Sequence, residues 1–434
     1  MIETMKAIRS VLVFFMKPFV NALLLVLLAM CAIVVRLRQK EELQPSLVWG
    51  CSPLISNKYW SLSMRRKGFR SETYVHDYYS VINKRDDFDR VLSECFGRLP
   101  YFVKQYLAFC ESLFKYDVFF LSFDGYFLGN TKIWWIEPYL LSLARKKTVL
   151  IPYGGDSYVY RNIKRPALIH GLMMSYPGSS RRQRLIAKRV ALWTDLADCV
   201  IPGIMGPDGF GRWDALLPSF IFIDAGEWRE TERRSNADGV NDIVRIAHAP
   251  NHRGFKGTEF VCSSVEQLKA EGLKVELVLI EKMQNSEVKR LLADEVDILV
   301  EALVCTGHGL NGLEGMATGL PVITNLEDDS YTEPFRVWSY LDECPILSAS
   351  PENIKDRLRH LVTNPSLRHA LGGAGRSYVE KYQDLEASHH LFSAILDFVY
   401  GRRGSIASLF HPLVSDFVSR RPRISHPLVK NRIV

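Results

Sequence analysis

The chain has few of the patterns that mark metal or disulfide chemistry. Its eight cysteines (Cys31, Cys51, Cys95, Cys110, Cys199, Cys262, Cys305 and Cys344) include no CxxC pair and no His-rich neighbourhood at zinc spacing. That excludes a zinc ribbon and a stapled disulfide framework. Most of these thiols sit inside apolar runs, as small core residues of a reducing compartment do. Low-complexity tracts are also missing: hydrophobic residues make up 47%, charged residues 24% and aromatics 11%, which excludes disordered and collagen-like classes. Nor does the folded body carry an excess of positive charge. The net +7 resolves into +5 over residues 1–40, +6 over residues 401–434 and −4 over the 360 residues between them. A groove that tracks phosphates would carry its charge on one face of the fold, so no nucleic-acid partner is expected. Charge at the two ends suits anionic lipid headgroups better.

At 434 residues the chain is too long for one ordinary domain, and two of about 150–200 residues are expected. Residues 1–42 stand apart from both. The run from Phe19 to Val35, FVNALLLVLLAMCAIVV, is uncharged over 17 residues and as a helix would reach about 26 Å, close to the short limit for a bilayer core. It is long for a signal peptide, and no small-x-small cleavage site precedes the basic RLRQK. A membrane anchor is therefore expected, either a tilted span or a helix lodged in one leaflet. Basic residues on both sides leave its orientation open.

Behind the anchor, apolar strand-like runs alternate with helical stretches. LVWGC (47–51), YDVFFLSF (116–123), TVLIP (148–152) and Cys199–Pro202 belong to a first α/β domain, residues 43–226. A polar linker, residues 227–242, leads to a second alternating unit, residues 243–385, with IVRIAH (243–248), KVELVLI (274–280), VDILVEAL (296–303) and PVITN (321–325) as its strands. Residues 386–400 form a closing helix. The basic tail, 401–434, is broken by Pro412, Pro422 and Pro427 and reads as an irregular wrap or a membrane-surface segment. Strands alternating with helices imply parallel sheets covered on both faces, with a cleft between the carboxyl ends of the two sheets.

Chemistry concentrates in CTGHGLNGLEGMATGLPVITN, residues 305–325. Gly307, Gly309 and Gly312 lie between a strand and a helix, where backbone amides at a helix N-terminus can approach a phosphate. Glu314 follows, placed to accept two ribose hydroxyls or, more simply, to be stabilised by the helix dipole. In IAHAPNHRGFKGTEF (246–260), Arg253 and Lys256 follow the first strand of the same domain. Two cations facing that loop are what a departing diphosphate needs as charge develops on it.

LEGMATGLPVI resembles the signature of retaining GT-B glycosyltransferases of family 4, and HRGFKGTEF resembles their cationic donor loop. Residues 350–386 are similar to the closing helices of that fold. The resemblance implies an α/β GT-B architecture: two Rossmann-like domains facing a cleft, an N-terminal acceptor domain and a C-terminal donor domain, joined here to an N-terminal transmembrane or membrane-embedded helix. It implies that Glu314 holds the donor ribose, that Arg253 and Lys256 stabilise the diphosphate, and that Gly307, His308, Gly309, Leu310 and Gly312 line the donor with backbone amides. It also implies retaining transfer without a metal or any cofactor beyond the nucleotide-diphosphate sugar itself.

Two positions depart from the family pattern. Thr306 stands where the motif's first glutamate is expected, eight residues before Glu314, so Glu301 or His308 takes its place or the donor differs. In IPYGGD, Tyr153 stands where the family often has a histidine. Asp156 is then the candidate catalytic carboxylate on the N-terminal side, or else a helix N-cap before Ser157. The expected activity is transfer of a sugar to a membrane-associated or lipid-linked glycan or glycolipid, as in surface polysaccharide or lipopolysaccharide assembly. The expected location is a membrane-anchored one with cytoplasmic domains, at the inner membrane if the source is bacterial, with membrane lipids as partners. A non-catalytic membrane-anchored GT-B scaffold and a nucleotide-sugar epimerase are the alternatives.

Overall fold

A computed structural model describes residues 23–38, 44–80, 83–203, 210–231 and 236–433. The apolar runs of the first half become six short parallel strands: β1 Leu47–Trp49, β2 Ser71–Val75, β3 Arg90–Val91, β4 Val118–Leu121, β5 Lys147–Leu150 and β6 Cys199–Val200. Their order is β3-β2-β1-β4-β5-β6, with Leu47 opposite both Ser71 and Val118. All four residues of β4, VFFL, are buried, as a parallel strand covered on both faces requires. The second half gives β7 Val244–His248, β8 Val275–Leu279, β9 Ile298–Thr306, β10 Val322–Asn325 and β11 Leu347–Ser348, ordered β11-β10-β9-β7-β8.

In each sheet the strand order reverses at one place, between β1 and β4 in the first and between β7 and β9 in the second. Open α/β sheets bind ligands in the crevice such a reversal leaves at the carboxyl ends of the strands. The two domains are tied together by the helix Leu385–Val399, which follows the second domain in sequence but packs on the first. Its Phe392 ring lies 4.7 Å from Trp49, 5.4 Å from Phe120 and 6.0 Å from Trp60. Its Ser388 hydroxyl is 2.8 Å from that of Ser63 on the helix Ile55–Arg65.

The expected membrane-spanning helix is not found. Among the described residues no helix is long and apolar enough to cross a membrane. Residues 1–22 and 39–42 of the expected anchor lie outside the described residues; residues 23–38 form a helix that docks on the first domain. Leu28, Ala32 and Val35, spaced four and three residues apart, are buried in the same apolar cluster as Phe109, Leu113 and Tyr126. The Cys31 thiol meets that of Cys110 on the neighbouring helix Tyr101–Lys115. The apolar run thus supplies a packing face for the domain, and the membrane-anchored location read from it falls with it.

The basic tail also finds protein partners. Five of its seven Lys/Arg side chains pair with carboxylates: Arg402 with Asp397, Arg420 with Glu386, Arg423 with Asp342, Lys430 with Glu333, and Arg432 with both Glu327 and Asp329. Asn431 fixes the wrap, donating to the carbonyls of Cys344 and Ile346 at 2.7 and 2.8 Å and accepting from Arg336. These charges are matched within the fold, which removes the reason to assign them to lipid headgroups.

Candidate functional site

The reversal between β7 and β9 brings the two chemistry-bearing loops of the second domain side by side. After β7 the chain makes one helical turn, Arg253–Lys256, ended by Gly257 at φ +75°. After β9 it turns through Gly307, at φ +97°, into the helix Leu310–Ala317. Asn311 ties the loops together by donating to the Ala249 carbonyl at 2.8 Å.

Beneath the glycine loop lies Glu301, on β9 and 1% exposed. Its Oε1 accepts from the Gly309 amide at 2.6 Å and lies 3.5 Å from Lys256 Nζ. Its Oε2 sits over Gly312, where a Cβ would approach it to 2.1 Å. Glu301 therefore fastens the loop from below and aims Lys256, and Gly312 is glycine because the carboxylate needs that space. His308 is fully buried behind the loop, with neither ring nitrogen hydrogen-bonded among the described residues. Burial pushes its pKa down and keeps the imidazole neutral.

Glu314 lies in the second turn of the helix, 5% exposed. Burial pushes its pKa up to about 8, against the opposing pull of Lys289. Arg253 is exposed and holds Glu259 at 2.9 Å and Glu281 at 3.0 Å. At the end of β7, His248 is fixed by two hydrogen bonds. One ring nitrogen meets the Val300 carbonyl, which can only accept, so it must donate; the other then accepts from the Thr258 hydroxyl. With its pKa pushed down to about 4 by burial, His248 is a neutral spacer that joins strand, strand and helix.

Across the cleft, the first sheet presents a polar edge. Asp156 is 2% exposed and accepts from the backbone amides of Phe123, Tyr153 and Gly154 at 2.9, 3.0 and 2.9 Å. Burial, with Asp124 adding to it, lifts its pKa to about 7. It clamps the loops that leave β4 and β5, with both oxygens occupied. The more open carboxylate on this edge is Asp124, which accepts from the Tyr153 hydroxyl at 2.6 Å and pairs with Arg189. Glu137, fully buried, accepts from the Tyr126 and Leu128 amides and sets the same loop. His76, after β2, bonds the Tyr101 hydroxyl at 2.8 Å, and burial lowers its pKa to about 4.

The structure thus brings Lys256, Glu301, the Gly307–Gly312 loop and Glu314 to one crevice. His308 lies behind the loop, Leu310 is half-buried at the helix start, Arg253 sits at the rim, and Asp156 lies under the facing edge. Two residues the sequence reading missed stand here: Asp124, on the facing sheet edge directly after the strand-like run 116–123, and Arg165, which reaches Thr306 Oγ1 and Asp328 from the other domain. Among the described residues no group of three or more His, Cys, Asp or Glu is arranged to hold a metal. The tripeptide Asp87-Phe88-Asp89 has a chelating form, but Asp87 is held by Lys58 and Asp89 by Arg65 and Thr73.

No protein-family model matches the chain, and no curated protein matches it. Solved structures do. Sucrose-phosphate synthase of Thermosynechococcus elongatus superposes with a TM-score of 0.52 at 13% identity, over 83% of this chain and 100% of that one. HepE of Anabaena in complex with UDP superposes with a TM-score of 0.52 at 10% identity, over 82% and 100%. The same protein with UDP-glucose gives 0.51 at 11%, over 81% and 98%. Coverage of this extent takes in both domains and the crevice between them, at identities that speak for architecture alone, and on that architecture the chain is a GT-B-fold protein.

Proposed function

We propose that the chain is a glycosyltransferase that binds a nucleotide-diphosphate sugar on its second sheet and transfers the sugar to a glycan hydroxyl presented by the first. The observation that carries this reading is the convergence at the β7/β9 reversal. There Lys256, held by Glu301, stands beside a loop of glycine amides at a helix N-terminus, and Glu314 lies one turn further along the helix. The Gly307 and Gly309 amides are taken by the Asn325 carbonyl and Glu301, so a diphosphate would sit on the first-turn amides of the helix, from Leu310 to Gly312, with its developing charge met by Lys256 and with Arg253 reaching in from the rim. Glu314 would accept the two ribose hydroxyls, whose donated hydrogen bonds favour the carboxylate over the protonated form that burial favours in the free protein.

These protein charges can neutralise the leaving group, which supports transfer that needs no divalent cation, and the reading includes retention of configuration. Asp156 acts through the loop it clamps, and Asp124 with Tyr153 offers the acceptor its polar contacts. That HepE binds UDP and UDP-glucose on the same architecture supports a nucleotide donor here.

The test is calorimetric titration of the chain with UDP, GDP and their sugars. Saturable binding to one nucleotide, weakened at least tenfold by Glu314→Ala, is expected. Absence of binding across the panel would leave the chain a binding scaffold without donor chemistry.

A further inference from the structure

Arg165 belongs to the first domain in sequence and to the second in space. Its Nη1 donates to Thr306 Oγ1 at the end of β9, and its Nε lies 3.4 Å from Asp328 Oδ2 in the loop after β10. The placement is built into the fold. Arg165 immediately precedes the helix Pro166–Ser175, whose first residue fixes the entry of the chain. That helix lies against the second domain so closely that a Cβ on Gly171 would come within 2.9 Å of Val304 Cγ1 and 3.5 Å of the Gly254 carbonyl. Ser175 accepts from the Phe255 amide at 2.9 Å. Ile163, Leu168 and Leu172 are buried in a cluster with Phe255 and Cys305, the residues beside Lys256 and Thr306.

The surrounding charges leave this guanidinium available. Lys256 is engaged by Glu301, and Arg253 by Glu259 and Glu281. Of the three acidic residues after β10, Glu327 and Asp329 are held by Arg432 from the tail. Asp328 is left to Arg165, at a separation longer than the roughly 2.7–2.9 Å of a strong charge-assisted bond. Asp328 also caps the helix Asp329–Trp338 through the Ser330 amide at 3.1 Å and the Ser330 hydroxyl at 2.6 Å, so it keeps other partners if the arginine leaves. At the end of β9, beside the glycine loop, the crevice therefore offers a neutral hydroxyl and an arginine.

We propose that Arg165 is a donor-recognition residue supplied across the cleft, which exchanges Asp328 for an anionic oxygen of the bound donor, either on the diphosphate or on a carboxylate carried by the transferred sugar. This rests on the reading of the second sheet as a nucleotide-sugar site. It gives the N-terminal domain a direct hold on the donor.

The experiment uses the full chain, titrated calorimetrically with UDP, UDP-glucose and UDP-glucuronate, or with the matching GDP compounds if guanine is the base bound. The variants are Arg165→Ala, Arg165→Lys and Asp328→Asn. Arg165→Ala is expected to weaken binding at least tenfold, with partial rescue by Arg165→Lys. Asp328→Asn, which keeps the helix cap and removes the competing charge, is expected to tighten binding severalfold. Loss for all three ligands assigns the contact to the diphosphate; loss for UDP-glucuronate alone assigns it to the sugar carboxylate.

Unchanged binding by Arg165→Ala, or equal weakening by Asp328→Asn, overturns the proposal and makes the contact a structural tie, while the donor site stands. Failure of the wild type to bind any nucleotide diphosphate overturns the donor-site reading itself and the proposal with it. Should Arg165→Ala fail to fold, the sign of the Asp328→Asn effect still decides.

Discussion

Gly312→Ala places one methyl group where Glu301 already is. The added Cβ would lie 2.1 Å from Glu301 Oε2, 3.0 Å from its Cδ and 3.3 Å from His308 Cβ. Glu301 is 1% exposed on a central strand and His308 is fully buried, so neither can step aside into solvent. The carboxylate must swing away, and doing so breaks its bond to the Gly309 amide and its pairing with Lys256. Overpacking of a tight core costs about 1–3 kcal/mol, and losing a hydrogen bond to a charged group about 1.5–3 kcal/mol. With partial relaxation the expected destabilisation is about 2–4 kcal/mol, a fall in melting temperature of about 4–16 °C for a domain of this size. Helix propensity runs the other way, since alanine is favoured over glycine by about 1 kcal/mol. A loss is thus expected only if the clash is real. Thermal unfolding followed by circular dichroism measures it, and nucleotide titration of the folded variant should show the loop's ligand affinity lost as well. A variant that melts at or above the wild-type temperature with unchanged binding would refute the placement of Glu301 beneath the loop.

Glu314 provides a pH test. Its folded pKa, about 8, lies above the unfolded carboxyl value of about 4.3, so between them the native state holds a proton that the unfolded chain has lost. The associated stability is fully present below the unfolded value and is lost as pH rises through about 8, at up to about 1.4 kcal/mol per pH unit. Glu314→Gln should flatten the fall in unfolding free energy between pH 6 and 8, measured by denaturant titration; identical slopes would contradict the burial of an ionisable group there. Asp156→Ala strips the acceptor from three backbone amides and should cost about 3 kcal/mol or more. Asp156→Asn, which keeps one acceptor oxygen, should fall between it and the wild type in chemical denaturation.

What the sequence disclosed is what local chemistry decides. Runs such as YDVFFLSF and VDILVEAL have the composition of strands buried on both faces, and their alternation with helices implied two parallel sheets. LEGMATG put Glu314 on a helix beside a glycine turn because those residue types act within one turn of each other.

The rest depends on partners distant in the chain. Arg165 meets Thr306 across 141 positions, and nothing around it in RNIKRPALIH distinguishes it from a solvated cation. Arg432 finds Glu327 across 105 positions, so the tail's charge looked unmatched when it was read by itself. Asp156 carried the type of a catalytic acid, and only the three amides converging on it show that its oxygens are occupied. The run LLLVLLAMCAIVV is apolar at every position, which conceals that Leu28, Ala32 and Val35 form the docking face. Uniform hydrophobicity removed the periodicity that marks a helix packed on a domain, and a bilayer was read in its place.

The most direct test of the account is a crystal structure of the chain with the nucleotide that it binds in titration. The account predicts the diphosphate on the first-turn amides of the helix Leu310–Ala317, beside the glycine loop and within reach of Lys256, and the ribose hydroxyls on the Glu314 carboxylate. A nucleotide seated elsewhere, with Lys256 still turned to Glu301 and the glycine loop empty, would contradict it.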